Sequence, residues 1–283
     1  MKVTRFSFKT VPQDTTWEPM RDVWIAGDDI ELFSAGWTFD HFYPILQRDR
    51  TGPCFEGWTM LAALASATRR VRLGVMVTGN PYRHPALLAN MAASLDVISS
   101  GRLELGIGAG WNEEESAAYG IDLPPLRERF DRLEEACAVL DLLLTKETAS
   151  FAGTHYRLTD ARCEPKPVQR PRPPIVIGGG GEKRTLRIAA RWADQWNAPG
   201  ATPEVLAHKI TVLHGHCADV GRDPAQIEIS VQVRSDGDPS AIADEAAALV
   251  DAGAQHVIVE FRAPFDASRL EPIAHALAAT SKT

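Results

Sequence analysis

Pro174-Ile175-Val176-Ile177-Gly178-Gly179-Gly180-Gly181-Glu182-Lys183-Arg184 is a short apolar run that breaks into four glycines and restarts with polar residues. Three strand-favouring residues between a proline and glycines read as a short, buried parallel strand. Glu182 onward reads as a helix start, so the glycines form a strand-to-helix turn. Such a turn offers free N–H groups and the positive end of a helix dipole, an arrangement suited to a phosphate. A plain turn needs left-handed φ at only one or two positions. Four glycines exceed that need and point to a phosphate or another ligand approaching the backbone of the turn. The spacing fits neither a P-loop nor the dinucleotide fingerprint, so the motif alone names no cofactor.

Outward from this turn, strand and helix patterns alternate along the chain, which favours a mainly parallel sheet. The expected strands are Val3–Lys9, Thr38–His41, Val71–Thr78, Leu103–Gly108, Ile175–Gly178, Gln195–Ala198, Glu228–Val233 and His256–Glu260. The helices that follow them are expected at Glu18–Ser34, Gly57–Ala67, Pro85–Ile98, Leu126–Leu144, Lys183–Ala193, Pro203–Val220, Ser240–Ala252 and Ser268–Ala279. Eight such units in 283 residues fit an α/β fold of the (β/α)8 TIM-barrel type, a single domain over 1–283. The main interruption is Thr145–Pro174, where Phe151–Tyr156 resembles a hairpin and five prolines lead into the fifth strand. It has too few apolar residues for a core of its own and is read as an excursion on the barrel.

The composition is 45% hydrophobic and 24% charged, with a net charge of −7. Basic residues are scattered, which argues against nucleic acid or an anionic membrane as partner. Met1–Phe8 has no long apolar core of a signal peptide and no run approaches a membrane span, so the cytoplasm is the expected compartment. Cys54, Cys137, Cys163 and Cys217 are widely spaced and form no CxxC pair, and the eight histidines show no metal spacing. No metal site is expected.

In a barrel, chemistry sits on the loops that follow the strands. The second strand runs into Asp40-His41-Phe42-Tyr43-Pro44. His41 could hydrogen-bond a cofactor or move a proton with Asp40 fixing its orientation, or it could simply cap a strand end; the residues leave both readings open. The third strand runs Met76-Val77-Thr78 into a glycine- and proline-rich loop, and on that segment alone an ordinary buried strand is the better reading. Gly106 and Gly108 leave one face of the fourth strand bare for a flat ring or another backbone. Beyond it, Glu113-Glu114-Glu115 reads as the solvated first turn of a helix rather than a catalytic acid, with Asn112 as the inward group. Trp196 is expected in the core, and Asn197 within reach of a ligand.

Taken as an ordered set, several segments resemble the luciferase-like monooxygenase superfamily, in its branch of oxidoreductases dependent on the deazaflavin coenzyme F420. They are Asp40-His41-Phe42, Val77-Thr78-Gly79, Tyr82–Ala86, Leu95–Arg102, Gly106–Trp111, Glu128–Glu135 and Pro174–Arg184 with Trp192-Ala193-Asp194. The resemblance implies a (β/α)8 barrel, often a homodimer, with F420 or alternatively FMN at the C-terminal mouth and a small-molecule substrate. It implies Asp40 and His41 beside the reactive ring, and a bulge with a non-prolyl cis peptide at Met76–Thr78 behind it. It further implies Gly108 and Ala109 under the ring and Gly179–Glu182 on the cofactor phosphate. The sugar-phosphate dehydrogenases of this branch carry a tryptophan, a glutamate and a lysine where this chain has Ile45, Trp111 and Ala201, which argues against glucose 6-phosphate as substrate. The expected activity is hydride transfer between F420 and a small organic molecule, with His41 and Asp40 in the catalytic role. A reduced-FMN monooxygenase and a non-catalytic cofactor-binding protein are the alternatives.

Overall fold

The computed structural model describes residues 4–280. Among the described residues there are eleven strands: β1 (Arg5–Thr10), β2 (Phe33–Thr38), β3 (Arg72–Val75), β4 (Thr78–Gly79), β5 (Leu103–Gly108), β6 (Ala149–Ala152), β7 (Arg157–Ala161), β8 (Ile175–Gly178), β9 (Gln195–Ala198), β10 (Glu228–Arg234) and β11 (His256–Phe261). The α-helices are α1 (Trp17–Asp29), α2 (Gly57–Ala67), α3 (Pro85–Ile98), α4 (Glu113–Ala118), α5 (Leu126–Thr145), α6 (Thr185–Trp192), α7 (Pro203–Asp219), α8 (Pro239–Asp251) and α9 (Leu270–Thr280). Strands pair in the order β3-β2-β1-β11-β10-β9-β8-β5-β4, and a further β3–β5 pairing closes the ring. All pairings within it are parallel, so this is a closed (β/α)8 TIM barrel.

Two apolar layers hold it. Phe8, Trp24, Leu61, Leu105 and Val257 belong to the layer between strands and helices, while Ala35, Trp37, Met76, Val176 and Ile258 form a smaller cluster of their own. Ala35 and Trp37, two apart, share one cluster by strand alternation, while a register shift against β1 between the Phe6–Phe33 and Phe8–Gly36 pairs turns Phe33 to the other.

The second strand corrects the expectation. It is Phe33–Thr38, and Asp40 and His41 lie in the loop beyond it rather than in a strand at Thr38–His41. The first helix ends at Asp29, not Ser34. The backbone turns extended at Ile30 (φ −87°, ψ 109°), and Phe33 already pairs with Phe6 of β1, so the helix cannot run on to Ser34. Val3, where the first strand was expected to begin, lies outside the described residues. The acidic triplet forms the first turn of a helix, α4, as read, but Glu115 within it is buried rather than solvated.

The third barrel strand is split. β3 pairs with β2, Thr38 opposite Val75, whereas β4 pairs with β5, Thr78 opposite Ile107. The break holds a cis peptide at Met76–Val77. The glycines of the neighbouring strands make room for it: a Cβ on Gly106 would lie 2.0 Å from the Val75 carbonyl oxygen. Cβ atoms on Gly108 and Gly178 would meet the Val77 side chain at 2.8 and 2.9 Å. The bare face of β5 therefore receives a backbone and a valine. In the excursion, β6 and β7 form an antiparallel hairpin, tied to α5 by Glu135, which accepts from the N–H groups of Thr154, His155 and Tyr156 at 2.8, 2.9 and 3.0 Å.

Candidate functional site at the barrel mouth

A cavity of about 860 Å³ opens at the C-terminal ends of the barrel strands. It joins Asp40 and His41, Met76–Gly79, Gly108–Trp111, Gly178–Gly181 and Asn197 in one space. The residues singled out from the sequence thus converge, with two exceptions.

Asn112 does not line the cavity. Its side chain caps α4 by accepting from the Glu115 N–H, an ordinary use of asparagine at an N-cap, so it is not the inward group. Glu182 also stands off. It lies in the turn before α6, which begins only at Thr185, and its carboxylate faces Lys209 and His208 at 3.3 Å each. Those contacts, led by Lys209, hold its carboxyl below the usual range.

His41 is anchored by a residue that sequence reading assigned to solvent. Glu115 is fully buried, and its Oε2 lies 2.7 Å from His41 Nδ1. The same carboxylate accepts from the Phe42 N–H at 2.7 Å and the Tyr82 hydroxyl at 2.6 Å. Burial alone would raise the Glu115 pKa, but the hydrogen bonds from His41 and Tyr82 outweigh it and the carboxyl sits below its ordinary value. Burial and the Glu115 contact push the Tyr82 phenol up, so it stays a donor. An ionised carboxylate only accepts. Nδ1 therefore carries a proton, and Nε2 is the nitrogen available to the cavity. Phe39 and Trp111 pack edge-on against the imidazole, with ring centroids 5.1 and 5.5 Å away.

Asp40 is not the partner of His41. Its two oxygens take a bidentate pair from Arg83 at 2.6 and 3.0 Å and a hydrogen bond from the Gly79 N–H at 3.0 Å. Burial raises its pKa and Arg83 opposes that; with a permanently charged, bidentate guanidinium the pair is ionic. Asp40 thus ties the second-strand loop to β4 and, through Arg83, to the segment after it. Its expected role in orienting His41 belongs to Glu115.

The glycine turn works through backbone. Gly179 has φ +127°, and its N–H donates to the Asn197 carbonyl at 3.1 Å. Among the described residues no hydrogen bond engages the N–H groups of Gly180 or Gly181. A Cβ on Gly180 would meet nothing closer than Lys209 Nζ at 3.6 Å. Its lack of a side chain is therefore not required by packing.

Another part of the cavity lining is polar, and apart from Asn197 sequence reading missed it. Lys9 Nζ donates to Glu260 and Gln232 at 2.8 Å each, and Gln232 in turn donates to Asn197 Oδ1 at 2.8 Å. Burial would raise the Glu260 pKa, but Lys9 and Arg262 hold it low. These residues stand at the ends of β1, β9, β10 and β11, and position alone could have nominated them. Trp196 is buried, as expected. Among the described residues no cluster of three histidines, cysteines or carboxylates could hold a metal, and no helix is long and apolar enough to cross a membrane.

Residues 33–282 match the family model described as luciferase-like monooxygenase. The chain belongs to that family. Among similar curated proteins, an F420-dependent glucose-6-phosphate dehydrogenase of Microbacterium testaceum is 29% identical over 81% of this chain and 67% of its own length. Another protein of that name, from Amycolatopsis mediterranei, is 34% identical over 56% of this chain and 46% of its own. The chain thus spans about half to two thirds of these relatives. A solved F420-dependent secondary alcohol dehydrogenase, in complex with an F420-acetone adduct, superposes with a TM-score of 0.84 over 96% of this chain and 99% of that one, at 18% identity. At that identity the likeness is one of fold.

Proposed function

We propose that this family member is a coenzyme F420-dependent oxidoreductase that moves a hydride between the deazaflavin and a small organic substrate. The observation that carries the reading is the convergence, at one barrel mouth, of a carboxylate-backed imidazole, a backbone bulge and a glycine turn with uncommitted N–H groups. The names of the F420-dependent relatives support the same cofactor.

The residues fit such a group. Gly180 and Gly181 offer donors to a phosphate, and Met76, Val77, Thr78, Gly108 and Ala109 make a wall for a flat ring. The cavity is in the size range of cofactor sites. When bound, the deazaflavin supplies a two-electron carrier that gives or takes hydride. His41 Nε2 takes the proton of a substrate hydroxyl in one direction and returns it in the other. Glu115 holds the imidazole in the competent tautomer and stabilises its charged form, and Tyr82 keeps Glu115 in place. Asp40, through Arg83 and Gly79, fixes the loop that carries His41.

Residues 1–283 act as one domain with 145–174 as an excursion, in the cytoplasm and as a homodimer. The exposed Leu87, Val97 and Ile98 on α3 support a second copy, and light scattering tests it. The cofactor reading is tested by calorimetric titration with F420 and, separately, with FMN. Tight binding of F420 is expected. FMN binding with oxygen consumption, and none by F420, would instead favour a monooxygenase; binding of neither at micromolar concentration sinks the proposal.

A further inference from the structure

The rim around His41 is more apolar than a sugar or phosphate ester requires. Leu46, Trp111 and Leu126 are 69, 55 and 57% exposed, come from three separate segments, and all line the same cavity. Single exposed apolar side chains are ordinary, but three around one opening that holds an imidazole are a surface waiting for an apolar ligand. Trp111 joins this rim directly to His41 by their edge-on contact at 5.5 Å.

The charges across the cavity point the same way. Lys9 and Arg262 both lie on Glu260, at 2.8 and 2.7 Å, and Arg234 is 3.0 Å from Asp236. Each cation lining the cavity already faces a carboxylate, so an anionic substrate would have to compete with an ion pair that is in place.

We propose that the substrate is an uncharged alcohol or ketone with an apolar body, which lies on Leu46, Trp111 and Leu126 with its C–O group at His41 Nε2. This rests on the F420 reading above. In the oxidative direction the carbinol C–H bond breaks and its hydride passes to the deazaflavin. The O–H bond breaks with it, the proton goes to Nε2, and a C=O bond forms; reduction is the reverse.

The test is calorimetric binding of 2-butanone, 2-hexanone and glucose 6-phosphate to the F420-loaded and F420-free protein. It is repeated on a Leu46→Gln/Leu126→Gln double variant, whose F420 affinity is measured separately. Both side chains are exposed, so the variant keeps its fold. Two added methylenes are expected to tighten ketone binding by about tenfold. The double variant loses that dependence and keeps its F420 affinity. Binding independent of chain length, or tighter binding of glucose 6-phosphate than of either ketone, overturns the inference. Equal loss of F420 and ketone affinity in the variant also overturns it, by giving the rim to the cofactor. F420 binding with no ketone binding removes this inference alone, whereas no F420 binding removes the cofactor reading as well.

Discussion

The His41 wall and the glycine turn face the same cavity and are built on opposite principles. The first depends on side chains: a fully buried carboxylate gathers an imidazole, a phenol and a backbone N–H. The second depends on backbone: its N–H groups are presented by residues without side chains, and at Gly180 the surrounding packing leaves room for one. A side-chain wall fails structurally when one member is lost, because partners remain buried and unpaired. A backbone wall fails only toward its ligand. The two should therefore respond to mutation in different currencies, stability on one side and cofactor affinity on the other.

The largest effect is expected for Glu115→Ala, which strands three donors and should lower the unfolding free energy by about 3 kcal/mol in urea titrations. A loss below roughly 0.5 kcal/mol would mean that the carboxylate does not organise the wall. The same contrast has a pH signature. The folded pKa of Glu115 lies below its ordinary 4.5 because burial is outweighed by the His41 and Tyr82 hydrogen bonds. Its contribution is thus complete above pH 4.5 and fades as pH falls through the folded value. The stability gap between the native chain and Glu115→Gln should narrow on acidification below that point, and a gap that widens there contradicts the assignment.

Gly180→Val comes next, with F420 affinity expected to fall by at least about tenfold and unfolding free energy to stay within about 0.5 kcal/mol. Loss of both to the same degree would return the turn to a structural role. Tyr82→Phe removes one of the donors to Glu115 and should cost about 1 kcal/mol of stability, read by the same urea titration. An unchanged midpoint would place Tyr82 outside the wall.

The barrel was legible because periodicity is local. Leu103–Gly108, Ile175–Gly178 and Gln195–Ala198 stand where alternation and bounding glycines or prolines put them. The second strand was misplaced because a register shift against β1 between Phe33 and Gly36 interrupts its alternation; it ends at Thr38, which leaves Asp40 and His41 in the loop beyond. Within the site, His41, Met76–Thr78, Gly108, Ala109 and Gly179–Gly181 were readable from motif and position, and all line the cavity. Asn112 and Glu182 do not line it: the Asn112 side chain caps α4 and the Glu182 carboxylate pairs with Lys209 and His208, uses that look the same in sequence as ligand contact. Lys9, Gln232 and Glu260 were overlooked because each is an ordinary polar residue in its own strand, and only closing the barrel turns them toward one another.

The clearest division is between Asp40 and Glu115. Adjacency to His41 made Asp40 the natural support, and a run of three glutamates made Glu115 look solvated. Chain order could establish eight strands, the glycine turn and a histidine at the mouth, since each of these follows from the spacing of neighbouring residues. Which carboxylate holds the histidine is a contact across 74 positions, and it exists only once α4 packs onto the loop after β2 and removes Glu115 from water. A buried carboxylate must find donors, and the fold decides which donors are there.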